Sequence, residues 1–260
     1  MIKGIDVSKY DVKMDWSKYT WDFAYIKVSE GTVIDPLFSY HWNGAKGYTY
    51  RGGYHFFRHY VDPKTSALSC AAFLGDDLGE LPLWFDLEES GEGVAARAKS
   101  WLSWYEAITG VRPIIYTGLN ILYELNLTSD ISWMKNYKVA LALYKYDNLS
   151  EATRKRIIHE VLTGQLPFIF PATPYPFSRM TSTQWTGKGD PADVPGYYMG
   201  VGSKRAVDIN FYNGNAGEFK TEFNLGGLND PIPPQDEPTK TPYILSIDGF
   251  SPVSGELESA

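Results

Sequence analysis

Short apolar runs alternate with helical stripes along this chain, and that alternation narrows the fold more than any other feature. Runs at residues 2–7, 23–28, 52–57, 83–87, 113–117, 139–144, 182–185 and 206–212 are bounded by Gly, Pro, Asp or Ser and read as strands. Between them, Phe38, Trp42 and Ala45 share a helical face within 36–46. Asp62-Pro63 is a cap followed by proline at the first helical position, and helix is predicted to about Leu78. Val94, Ala98, Trp101, Leu102, Tyr105 and Ile108 form a stripe that Gly110 ends. A short helix is predicted over Asn120 to Leu125, and Ser150-Glu151 opens another to about Leu162. Residues 164–180, rich in Pro and aromatics, read as a loop. Eight strands alternating with helices predict a parallel α/β barrel. An open doubly wound sheet is the alternative, but no phosphate-binding glycine fingerprint follows the first strand.

The fourth run, Leu81-Pro82-Leu83-Trp84-Phe85-Asp86-Leu87-Glu88, ends in two carboxylates spaced i, i+2. In a strand that spacing puts both on one face. Two acids held side by side repel, so one keeps its proton towards neutral pH, the condition for a glycoside-cleaving acid and its partner. The alternative is a solvated pair opening the loop Glu89-Ser90-Gly91-Glu92-Gly93. Barrel enzymes place chemistry at the C-terminal ends of strands. Asp6, Asp86, Glu88 and Asp208 are read as late in strands one, four, four and eight, with His55 and Tyr116 late in three and five. Strands one and eight adjoin in a closed barrel, so four acids are predicted around one mouth.

Composition excludes several classes. A net charge of -7 without a basic cluster argues against nucleic acid and anionic membranes as partners. The single cysteine, Cys70, excludes an intrachain disulfide and a cysteine-rich metal site; it reads as a core filler. No cofactor or metal is expected. No signal-peptide pattern or membrane-length apolar run occurs, so synthesis in a cytoplasm is expected, with action outside requiring release.

The ordered motifs Gly4-Ile5-Asp6-Val7-Ser8, Phe23-Ala24-Tyr25-Ile26-Lys27-Val28-Ser29-Glu30-Gly31, Gly52-Gly53-Tyr54-His55-Phe56, Leu81 to Glu88, Thr109 to Thr117 and Val207-Asp208-Ile209-Asn210-Phe211-Tyr212-Asn213-Gly214 carry a family resemblance. From residue 2 to about 214 the chain resembles glycoside hydrolase family 25, the Chalaropsis-type lysozymes, which include many phage endolysins. The resemblance implies a single (β/α) barrel of eight strands, irregular in its last three units. It also implies cleavage of the β-1,4 bond after N-acetylmuramic acid in bacterial peptidoglycan, with phage lysis as the setting. Glu88 matches the general acid and Asp86 its partner; Asp6 and Asp208 match acids that hold the network and substrate. Tyr54 and Tyr116 match aromatics of the saccharide groove, and His55, Tyr144, Gln184 and Trp185 complete the expected substrate-binding set. Two positions depart from the family pattern: Leu143 precedes Tyr144, and Thr183-Gln184-Trp185 replaces Trp-Gln-Tyr.

Residues 1–225 are thus read as a catalytic barrel and 226–260 as a Pro-rich linker with a short extension, where Tyr243 to Ile247 has β propensity. The extension is a candidate contact for a virion or wall-binding partner. A non-catalytic glycan-binding protein of the same shape, or another glycosidase of the chitinase kind, are the alternatives. Two residues of strand separate the acids' backbones by about 6.6 Å. Direct-nucleophile retaining enzymes want carboxyls about 5–5.5 Å apart and inverting ones about 6.5–9.5 Å, so spacing alone leans towards inversion, although side chains can converge. The substrate's own 2-acetamido group offers a third, retaining route.

Overall fold

The computed structural model describes residues 1–11, 13–144, 146–197 and 206–225, with the backbones of two strands beyond them. The chain divides into two compact units, Met1–Leu228 and Asn229–Ala260. In the second, Lys240–Leu245 pairs antiparallel with Val253–Glu258. The Pro-rich stretch 226–239, Ser246, Ile247 and Phe250 lie outside the described residues.

The first unit is a closed barrel of eight strands. These are β1 (Lys3–Val7), β2 (Phe23–Glu30), β4 (Tyr50–Phe56), β5 (Trp84–Leu87), β6 (Ile114–Gly118), β7 (Val139–Ala142), β8 (Met180–Gly189) and β9 (Val207–Tyr212). A two-residue strand, β3 (Val33–Ile34), turns back along β2. Helices α1 (Phe38–Ala45), α2 (Pro63–Leu74), α3 (Val94–Thr109), α4 (Leu119–Thr128) and α5 (Glu151–Leu162) connect successive strands, and α6 (Ala216–Glu222) follows β9. Asp62 accepts from the Thr65 amide at the start of α2, and Ser150 accepts from Thr153 at the start of α5, as their side chains predict. Helix α2 stops at Gly75, whose positive φ ends it short of the predicted Leu78.

The barrel is not wholly parallel. Strand β9 runs antiparallel to both β8 and β1, while the other six pairings are parallel. Asp208 therefore sits early in its strand, not late. Reversal brings that early end to the same mouth as the late ends of the others, with Asp208 directly opposite Asp6.

Strand alternation separates two cores. Ile5, Val7, Ile26, Val28, Phe85, Leu87, Val139, Leu141, Ile209 and Phe211 face the helices. Phe23, Tyr25, Tyr50, Trp84, Ile114, Tyr116, Ala140 and Tyr212 fill the lumen. Asn215 and Glu218 cap α6 reciprocally, and its Phe219 packs 5.8 Å from Phe23, 5.9 Å from Tyr50 and 4.9 Å from Tyr212 between ring centroids. These partners lie at the strand ends opposite the acidic mouth, so α6 plugs the barrel's base.

Inward-facing glycine makes the middle layer possible. Gly52 on β4 pairs with Tyr25 on β2, and Tyr25 reaches across it to stack on Trp84 of β5, centroids 3.6 Å apart. Trp84 stacks in turn near Tyr116, at 5.3 Å. A Cβ on Gly52 would overlap the Tyr25 ring. Gly52→Ala is therefore expected to destabilise the barrel by about 1–3 kcal/mol, the usual cost of overpacking. Urea unfolding checks this, and wild-type stability in the variant would contradict the packing argument.

Candidate active site

The lumen opens at the mouth into a cleft of about 190 Å³. Its lining includes Asp6, Asp86, Glu88 and Asp208. Asp86 lies inside β5, and Glu88 is the residue after the strand end, exposed at the rim. The strand thus delivers one carboxyl deep and its partner one step higher.

That difference sets the electrostatics. Asp86 is 5% exposed, and its Oδ1 is buried with no hydrogen-bond partner among the described residues. Burial first, then the charge of Glu88, holds the Asp86 carboxyl well above the usual carboxylate range; Lys27 opposes this. Glu88 is also raised, by desolvation within the cleft and by Asp208, while Lys27, Arg58 and a hydrogen bond with Asp86 pull it back. The two carboxyls titrate as a pair.

A hydrogen-bonded frame holds the opposite wall. Gln184 Nε2 donates to Asp6 Oδ2 at 2.7 Å, and Asn210 Nδ2 donates to the same oxygen at 2.8 Å. The Tyr116 and Tyr144 hydroxyls each donate to Gln184 Oε1 at 2.6 Å. One amide thereby ties β1 and β6 to the loop after β7, and donors fix Asp6 as an acceptor. Burial, then the charges of Asp6 and Asp86, pushes the Tyr54 hydroxyl up, so it stays a neutral donor.

Ion pairs brace the mouth on the other side. Lys27 Nζ lies 3.0 Å from Glu30 Oε2, Arg58 Nη2 lies 2.6 Å from Glu30 Oε1, and Arg58 Nη1 lies 2.9 Å from Glu89 Oε1. This chain links the ends of β2, β4 and β5. Glu30 and Glu89 each sit below the usual carboxylate range: burial raises them, and the cationic and hydrogen-bonding partners more than offset it.

The structure brings Asp6, Asp86, Glu88, Asp208, Tyr54, Tyr116, Tyr144 and Gln184 to one cleft. It does not bring His55 or Trp185 there. His55 is fully buried on the helix-facing side, between Ser29 Oγ at 2.9 Å and Ser66 Oγ at 3.1 Å, with its ring stacked on Trp101. Burial pushes its imidazole down to about 3, so it stays neutral. Trp185 packs outward on Tyr146, Phe168 and Phe211. Adjacent strand residues face opposite ways, so Tyr54 excludes His55 and Gln184 excludes Trp185. Ser8, Tyr10, Lys27, Phe56 and Trp84 also line the cleft and were not among the expected residues. The same rule signals three of them: Lys27 shares the phase of Phe23 and Tyr25, Phe56 that of Tyr54, and Trp84 that of Asp86.

The family profile described as glycosyl hydrolases family 25 matches residues 5–162, more than half of the chain. An uncharacterized Escherichia coli K12 protein, YegX, is 32% identical over 154 residues, covering 52% of this chain and 56% of its own length. The N,O-diacetylmuramidase of Chalaropsis sp. is 33% identical over 141 residues, covering 45% of this chain and 65% of that protein. The chain thus spans little more than half the length of the first curated relatives. Among solved structures, a Streptomyces coelicolor lysozyme superimposes with TM-score 0.63 at 23% identity, over 86% of this chain and 98% of the other. A family 25 glycosyl hydrolase of Bacillus anthracis gives 0.61 at 20%, over 85% and 93%. At such identities the structural likeness speaks for the fold. The profile match ends before Gln184 and Asp208, so their place beside the acids rests on the barrel's closure.

The raised Asp86 carboxyl makes stability depend on pH. Its folded value exceeds its unfolded value, so the folded state binds more protons between the two. That contribution is fully present below the unfolded value, about 3.9, and is lost as pH rises through the folded one. Asp86→Asn removes the loss. The variant's advantage in urea midpoint over wild type is expected to be small near pH 3 and to grow towards pH 7. A difference independent of pH would contradict the burial argument.

Proposed function

The chain belongs to glycosyl hydrolase family 25, and from that membership we propose that it is a lysozyme, an N-acetylmuramidase cleaving the β-1,4 bond after N-acetylmuramic acid in bacterial peptidoglycan. The observation that carries this reading is the stepped pair: Asp86 buried on the cleft floor and raised by that burial and by Glu88, and Glu88 exposed at its rim and raised by desolvation within the cleft and by Asp208. Such a pair supplies a carboxylic acid and a carboxylate together near neutral pH.

In the proposed reaction the pair's one proton passes through the Asp86–Glu88 hydrogen bond to Glu88, which protonates the glycosidic oxygen as its bond to the anomeric carbon breaks, leaving Asp86 the carboxylate. The carbonyl oxygen of the sugar's own 2-acetamido group attacks that carbon from the other face. The unpartnered Oδ1 of Asp86 supports its assignment here, as a buried acceptor for the acetamido N–H that orients the group and stabilises its developing positive charge. Water then opens the cyclic intermediate, giving its proton back to Glu88 and leaving the β anomer. Asp6, held by Gln184 and Asn210, and Asp208 are assigned to substrate and network. Tyr54, Tyr116 and Tyr144 are assigned to the saccharide wall.

Catalysis is assigned to residues 1–225, and 226–260 to linking and to contact with the wall or a virion partner. Removing 226–260 is expected to spare turnover of soluble wall fragments and to weaken adsorption to whole walls. Loss of folding on truncation would sink that division.

Glu88→Gln keeps the shape and removes the proton. Lysis of cell walls, followed by turbidity, is expected to fall by about a hundred- to ten-thousandfold with the melting temperature little changed. A folded variant that lyses walls at near the wild-type rate would overturn the assignment.

A further inference from the structure

Among the described residues that line the cleft, Lys27 is the one cation, and it shares the space with four acids, Asp6, Asp86, Glu88 and Asp208. It is only 6% exposed. A buried ammonium is expensive unless it is paired, and the pairing here is specific. Glu30 Oε2 holds Nζ at 3.0 Å, and the nitrogen lies 4.9 Å from the Phe56 ring centroid and 6.0 Å from that of Tyr54. Arg58 occupies the other oxygen of Glu30. From the cleft outward the chain Lys27, Glu30, Arg58, Glu89 alternates in sign, and its positive end is the one facing the carboxyls.

We propose that Lys27 is a positioning residue for the reaction: it fixes the Asp86–Glu88 pair at one shared proton, so that a carboxylate and a carboxylic acid stand together at neutral pH. This rests on the reading of those two residues as the catalytic pair. The charges around them are accountable element by element. Strand β1 presents Asp6, β9 presents Asp208, and β2 presents Lys27 and Glu30, with Arg58 following β4. Tyr54, Tyr116 and Tyr144 face in from β4, β6 and the loop after β7, and burial keeps their hydroxyls neutral. Every remaining charge on the lining is negative. Without Lys27, burial and the charges of Asp6, Glu30 and Asp208 would drive a proton onto both members of the pair, leaving no carboxylate to meet the acetamido group. Lys27 acts on both, drawing Asp86 and Glu88 down together. Glu30 works against it on Asp86.

The test is a set of pH–rate profiles on soluble peptidoglycan fragments, paired with carbon-13 NMR titration of the side-chain carboxyls. Wild type, Lys27→Met, Lys27→Arg and Glu30→Gln are compared. In Lys27→Met both limbs of the profile and the carboxyl midpoints are expected to move up by about one pH unit, the low end for a nearby opposite charge because Glu30 offsets part of its field. Lys27→Arg is expected to restore the wild-type position, and Glu30→Gln to move it down. These two variants also decide the matter should Lys27→Met fail to fold. Unmoved midpoints in Lys27→Met, a rise in KM alone, or an upward shift in Glu30→Gln would overturn the proposal. The NMR titration needs no turnover. An inactive wild type would therefore defeat the catalytic reading, while the titration still decides what Lys27 does.

Discussion

Closure of the barrel by a reversed strand is the constraint on which the rest depends. Strand β9 joins β8 to β1 and enters from the mouth instead of the base. That single reversal sets Asp208 opposite Asp6 and Asn210 opposite Gln184. It also sends the chain out at the base, where α6 lays Phe219 beneath the lumen. A parallel β9 would have placed Asp208 at the plugged end, away from the other acids. The direction of one strand therefore decides both how many carboxyls meet and what seals the core beneath them.

Within the closed lumen, space and charge are balanced layer by layer. Phe219, Phe23 and Tyr50 fill the base, and the Tyr25–Trp84–Tyr116 stack fills the middle. The acids sit above that aromatic floor, which denies them water from below and raises the pair on β5. Two polar devices keep this from unravelling. On one wall Gln184 converts Asp6 and two tyrosines into a directed hydrogen-bond frame. On the other, Lys27 and Arg58 thread through Glu30 and Glu89. The acid pair is thus left destabilised in its doubly charged form while Asp6 and Glu30 beside it are held by donors, the usual relation between a working site and its support.

Much of this was legible in the sequence because apolar runs bounded by turn residues mark strands whatever their direction. Periodicity carries no sign, so the orientation of β9 was not legible from it. The period of two did hold information that the expected site did not use. Tyr54 and His55 cannot both face the lumen, nor can Gln184 and Trp185, and the structure sends His55 and Trp185 outward. Read in phase with Phe23 and Tyr25, Lys27 is an inward lysine in an apolar strand. Helix α6 had a signal too, since Asn215 and Glu218 spell a capping box three residues apart. What no local pattern shows is the frame joining Asp6 to Gln184 and Asn210, because its members lie 178 and 204 residues apart in the chain.

The proposed reaction breaks one particular bond of the wall glycan. Mass spectrometry of the fragments released from purified peptidoglycan, after borohydride reduction, tests it most directly. Products ending in reduced N-acetylmuramic acid are expected. Products ending in reduced N-acetylglucosamine, or no glycan fragments from folded protein, would contradict the account.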